Sequence, residues 1–124
     1  MQAGDSFFLD GVAERHLWVI ISDPTVNPER VLFVSMTSFD VTKEDVCLLD
    51  AGDHSFVKHK TCIDYSHARE ATLTALVRLR DSGRLRPHEP VSAELLGRIR
   101  RGVSLSRDIK FRYVELLLDQ GVID

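Results

Sequence analysis

Over residues 1–72 the apolar positions fall into short runs separated by turn-forming residues. Ser6-Phe7-Phe8-Leu9 follows Gly4-Asp5 and stops at Asp10-Gly11, which predicts a first strand closed by a turn. Leu17-Trp18-Val19-Ile20-Ile21, rich in branched and aromatic side chains and stopped by Asp23-Pro24, predicts a second. Residues 24–30 read as a loop and 31–36 as a third strand, ended by Thr37-Ser38. Residues 46–49 read as a fourth, and 60–65 as a fifth with Thr61, Ile63 and Tyr65 on one face. The central runs are almost continuously apolar, as in strands covered on both faces or forming a barrel wall. Short strands at this spacing favour a small barrel over an open parallel sheet.

After Ser66 the period lengthens. Leu73, Leu76, Val77 and Arg80 share a helical face, with Gly83 as a left-handed stop. Residues 84–90 carry two prolines and read as a rigid connector, since proline excludes a helix there. Ser92 is placed to cap a second helix that packs through Leu95, Leu96 and Ile99 and closes at Gly102. Ser106 is placed to cap a third, with Ile109, Val114, Leu117 and Leu118 as its buried stripe and Gly121 at its end. The predicted fold class is α+β, mainly β: a small β-barrel over residues 1–72, then a helical C-terminal extension over 73–124 packed on it as one compact domain.

The chain's 124 residues, 44% of them hydrophobic, suit one core rather than two. No run approaches the roughly 18 to 20 apolar residues of a membrane span, and Met1-Gln2-Ala3-Gly4-Asp5 lacks a signal-peptide profile. A soluble, cytoplasmic protein with no membrane partner is expected. Cys47 and Cys62 sit in apolar stretches without Cys-x-x-Cys spacing, which predicts buried reduced thiols. Charge is divided unevenly. Residues 1–72 hold 6 Lys and Arg against 12 Asp and Glu, and residues 73–124 hold 10 against 7, nine of those cations being arginine. Such asymmetry marks a nucleic-acid surface, a contact between the two halves, or solvated helix faces.

Titratable chemistry concentrates in Gly52-Asp53-His54-Ser55-Phe56-Val57-Lys58-His59-Lys60. Read as a turn feeding an extended edge, it puts His54, Phe56, Lys58 and Lys60 on one side and Ser55, Val57 and His59 on the other. Lysine offers a point charge to phosphate and histidine exchanges protons near neutrality. Together they can assist attack of a ribose 2′-hydroxyl on the adjacent phosphate with neither metal nor cofactor. The plainer alternative is a half-exposed loop whose lysines solubilise an edge. A metal site from Asp53, His54 and His59 with His67 or Cys62 would need a bulge or sharp bend, because histidines five apart on a strand point to opposite faces. Trp18, Phe56 and Tyr65 are expected in the core and His88 in an exposed linker. Nucleotide-cradling glycine loops, Gly-x-Ser-x-Gly elbows and His-Glu-x-x-His helices are absent from the sequence.

Gly4-Asp5 opening the first strand, the charged loop Glu14-Arg15-His16 running into Leu17-Trp18-Val19-Ile20-Ile21-Ser22, and Val34-Ser35-Met36-Thr37-Ser38 closing the third strand recur together in one family. On these pieces residues 1–72 resemble the MazF/PemK/Kid toxin ribonucleases. A subgroup related to that family carries a Gly-Asp-His block such as Gly52-Asp53-His54, a Lys-His step such as Lys58-His59 and a strand ending in tyrosine such as Tyr65. The resemblance implies an SH3-like barrel, metal-independent cleavage of single-stranded RNA, an antitoxin protein as partner, and a homodimer. It implies Thr37 as a catalytic residue and Arg15, His16 and Ser38 as RNA contacts. Lys58 and Lys60 stand where the family carries an arginine and an acid. Lys58 is then expected on the scissile phosphate, Lys60 on the RNA, and His54 or His59 in proton transfer. Arg15, Thr37 and Lys58 should meet in one pocket. The alternative is a non-catalytic SH3-like module that binds protein or nucleic acid in its groove.

Overall fold

A computed structural model of the chain describes residues 1–11 and 15–124. Its elements in chain order are β1 (Ser6–Leu9), β2 (Leu17–Ile20), β3 (Val31–Ser38), β4 (Leu48–Leu49), β5 (Thr61–Ala71), α1 (Leu73–Asp81), β6 (Leu85–His88), α2 (Ala93–Leu105) and α3 (Phe111–Asp119). The fold class is α+β. All strand pairings are antiparallel, in a six-stranded sheet of order β4-β5-β3-β2-β1-β6. The end strands β4 and β6 do not pair with each other, so the sheet is open, not the closed wall expected from strand spacing.

Both faces of the sheet are covered, which accounts for the unbroken apolar runs. Register puts Leu17, Val19, Val34, Met36 and Ile63 on one face. There they form the larger core with Leu95, Ile99 and Val103 of α2 and Tyr113, Leu116 and Leu117 of α3. Phe7, Trp18, Ile20, Val31 and Phe33 point the other way and pack with Leu76 of α1 and with Leu85. Thr72 caps α1, its hydroxyl accepting from the Ala75 N–H at 3.0 Å, and Gly83 at φ +79° ends it. Ser92 caps α2 through the Leu95 N–H at 3.1 Å.

Two expectations for residues 73–124 change. Leu85–His88 is not a connector but an edge strand paired with β1, Pro87 standing opposite Phe7. Proline is tolerated there because the outer side of an edge strand has no ladder to feed. The sheet is therefore completed by a segment beyond the boundary drawn at residue 72. Helix α2 also runs past Gly102 to Leu105, and Ser106 ends it; α3 starts only at Phe111.

Several late arginines join the two halves. Arg98 donates to Asp53 Oδ1 at 2.9 Å and to the Leu48 carbonyl at 2.7 Å, Arg100 to the Ile21 carbonyl at 2.9 Å, and Arg86 pairs with Asp10 at 3.1 Å. Cys47 and Cys62 are free and buried, and burial pushes both thiols up.

Candidate functional site

The site rests on an irregularity in β5. Phe33 pairs with Arg69 but Ser35, two residues on, pairs with Asp64, so β5 carries three more residues than β3 between those pairs. Such a bulge bends the strand and re-aims its side chains. Asp64 closes it locally: Oδ1 accepts from the Ser66 N–H at 3.1 Å and the Ser66 hydroxyl at 2.6 Å, and Oδ2 accepts from His67 Nδ1 at 2.7 Å. Because the carboxylate can only accept, Nδ1 carries a proton, so in the neutral ring Nε2 is the nitrogen that accepts. The His67 side chain is 77% exposed, so that nitrogen is open to a ligand. Burial by itself would raise the Asp64 carboxyl; hydrogen bonds from Ser66 and His67 outweigh it and hold the group below its ordinary value.

A groove of about 1000 Å³ crosses the sheet at this bulge. Its floor is the part of the α1 face that carries polar residues: Ser35 lies opposite both Trp18 and Asp64, and Thr37 opposite Cys62. His16, just before β2, lines the same groove and donates from Nδ1 to the Met36 carbonyl at 3.3 Å. Lys43 stands on one rim, donating to Thr37 Oγ1 at 3.3 Å and to the Ser38 carbonyl, and paired with Asp40 at 3.6 Å. Arg69, with its guanidinium carbon 5.7 Å from the Trp18 ring centroid, also lines it, as do Lys110 and the carboxylates of Glu44 and Asp108. Imidazoles, hydroxyls, three cations and three carboxylates therefore share one cleft, the first three kinds being a set suited to a phosphodiester.

Only part of the expected site is gathered here. Thr37 and His16 line the groove, whereas Lys58 and His54 line a separate hollow of about 570 Å³ with Asp53, Glu89 and Ser92. Arg15 lines neither; its guanidinium stacks 4.3 Å above the Phe8 ring. Arg15, Thr37 and Lys58, expected to share one pocket, are thus gathered in neither of these two hollows, and Glu14 lies outside the described residues. His59 Nε2 hydrogen-bonds the Ser38 hydroxyl at 2.7 Å, and the Lys60 ammonium sits 5.3 Å from the Phe39 ring centroid; neither residue lines the groove.

The physical reason is that residues 50–60 turn instead of extending. The Val57 N–H donates to the His54 carbonyl at 3.0 Å, which brings His54 and Val57 inward together. Buried His54 donates from Nε2 to the Glu89 carbonyl at 2.7 Å and accepts at Nδ1 from the Phe56 N–H at 3.1 Å. Both ring nitrogens are spent on holding loops. Asp53 is equally structural: it accepts from the Asp50 N–H at 2.8 Å and from Arg98, which holds its carboxyl below the ordinary value. His88 is half-buried, not exposed, its ring 5.4 Å from Phe8 and 5.6 Å from His54. Among the described residues no three metal-ligating side chains come together.

Lys43, Asp64, Ser66, His67 and Arg69 were not anticipated as a group. The available signal was Asp64-x-Ser66-His67, a carboxylate followed at two and three residues by groups that can bond back to it, which breaks strand alternation. Comparison of the sequence with models of known protein families and with curated proteins finds no match to either.

Proposed function

We propose that the chain is a metal-independent endoribonuclease of the MazF/PemK/Kid type, a cytoplasmic toxin held in check by an antitoxin protein, with its chemistry in the bulge groove. The Asp64–His67 pair beside Thr37 and Lys43 carries this reading. His67 Nε2 takes the 2′-hydroxyl proton and the 2′-oxygen forms a bond to phosphorus. The bond from phosphorus to the 5′-oxygen breaks, and that oxygen leaves with a proton delivered from His16. Products are a 2′,3′-cyclic phosphate and a 5′-hydroxyl end, with no change of oxidation state. Lys43 and Arg69 offset the charge that builds on the phosphoryl oxygens, and Thr37 positions one of them. Asp64 orients the base.

The SH3-like relation enters as part of the same reading: β1, β2 and β3 are successive antiparallel neighbours, and the bulge bends β5 across β3. The family partners, an antitoxin and a second copy of the chain, follow from that relation. No helix of the described residues is long and apolar enough to cross a membrane.

The test is incubation with mixed-sequence RNA in EDTA across pH 6 to 8. Fragments ending in 2′,3′-cyclic phosphate, lost in His67→Ala, are expected. Their absence at high enzyme concentration would sink the cleavage reading.

A second reading, a non-catalytic module that holds RNA in the same groove, is favoured by the removal of Lys58 and His54 to another hollow. It predicts salt-dependent RNA binding that survives His67→Ala, with no fragments.

A further inference from the structure

Arg69 is the cation that the bulge delivers to the groove. It stands opposite Phe33, where register resumes, and its side chain is exposed. The partner of that side chain among the described residues is the Trp18 indole, 5.7 Å from the guanidinium carbon. Trp18 is held rigidly beneath: it is 5% exposed and meets Phe33 edge-on at 5.4 Å, with an interplanar angle of 84°. Its indole nitrogen is buried without a hydrogen-bond partner among the described residues, an uncommon state for tryptophan. A guanidinium is a flat cationic plate, and this one lies in cation–π range of a fixed aromatic ring while lining the groove. Flat cationic plates of this kind stack nucleobases, because every base has a π-face.

We infer that Arg69, positioned by Trp18, is the base-stacking residue of the groove, so that the ligand is single-stranded RNA gripped by a base as well as by its phosphates. The inference rests on the reading that the groove takes RNA. Lysine in this position would supply charge without a plane, so stacking and charge are separable by substitution.

The experiment measures binding of two labelled strands of equal length by fluorescence anisotropy. One is 2′-O-methyl RNA, which keeps its bases and cannot be cleaved. The other has the same backbone with abasic positions. The protein should bind the base-bearing strand about tenfold more tightly. That strand alone should also perturb the emission of Trp18, the single tryptophan of the chain. Arg69→Lys should retain binding to the abasic strand and lose the preference for bases. Equal affinity of the unmodified protein for both strands, or a preference intact in Arg69→Lys, overturns the inference. If neither strand binds, the groove reading falls and the stacking role with it. If the base preference depends on Arg69 but RNA is never cut, cleavage falls and the stacking role stands.

Discussion

The Tyr65 side chain occupies the space that a β-carbon on residue 102 would need. Such an atom would stand 2.9 Å from Tyr65 Cζ and closer still to its hydroxyl oxygen, which donates to the Ile99 carbonyl at 2.7 Å. Gly102 therefore sits in the last turns of α2 to let that helix approach β5. In an ordinary helix interior Gly→Ala stabilises by roughly 0.5 to 1 kcal/mol. Here the sign should reverse, Gly102→Ala costing roughly 1 to 3 kcal/mol by overpacking. Urea titration of Gly102→Ala, Tyr65→Phe and the double variant should show the two changes to be strongly non-additive. A stabilised Gly102→Ala would mean that α2 does not press on Tyr65.

That pair also shows where the sequence was readable and where it was not. Tyr65 on the buried face of its strand followed from alternation with Thr61 and Ile63, and all three are buried. Strands 1, 2 and 3, the first half of strand 5 and the three helices are legible from their own periods, although β5 runs on to Ala71 and Leu118, expected in the buried stripe of α3, is exposed. Gly102 was not, since a glycine late in a helix reads as a stop, and only a partner 37 positions earlier gives it a different purpose. The edge strand 85–88 was hidden for a similar reason: its proline advertises what it cannot be, while its pairing depends on β1 at the other end of the chain.

His54 supplies a second test. Its ring joins the Glu89 carbonyl to the Phe56 N–H from a buried position, so His54→Ala strands two polar groups. The expected cost is roughly 1 to 3 kcal/mol of stability, read from the denaturant midpoint. Cleavage lost from His54→Ala while its fold and midpoint are retained would return this histidine to the active site.

Acid should expose the Asp53–Arg98 clamp. Arg98 holds the Asp53 carboxyl below its usual 3.8, so the folded state binds the proton more weakly than the unfolded state. A depressed carboxyl contributes stability that is present above the unfolded value and lost as pH falls through the folded one. Asp53→Asn should therefore be less stable than the unmodified chain at neutral pH, by about 1 kcal/mol for a pair this accessible. The gap should close below about pH 4. Thermal melts of both proteins from pH 7 to 3 measure it; a gap independent of pH would assign the role of Asp53 to shape alone.

The groove was half legible. Thr37 and His16 were reached through resemblance, and their closeness follows from register, since Leu17 opposite Met36 brings the residues just outside that pair together. Lys58 and His54 were misplaced because a cluster of titratable residues says nothing about direction; one turn at His54–Val57 sends them to a separate hollow. Asp64 and His67 were missed because a bulge is a property of two strands, and its register shift is invisible in either one alone.

The bulge pair gives the sharpest prediction. If His67 Nε2 is the base and Asp64 only orients it, the two residues should fail differently. His67→Ala removes the proton acceptor and should lower the cleavage rate by 10² to 10⁴-fold, the typical contribution of general base catalysis. Asp64→Asn retains a hydrogen-bonding group at the carboxylate position but can bind the other tautomer, placing the proton on Nε2. It should therefore also depress the rate while leaving affinity for uncleavable 2′-O-methyl RNA within about twofold of the unmodified protein. Single-turnover cleavage beside anisotropy separates the cases: a rate loss matched by an equal affinity loss would show that the pair shapes the groove, and an unchanged rate in His67→Ala would remove it from the chemistry.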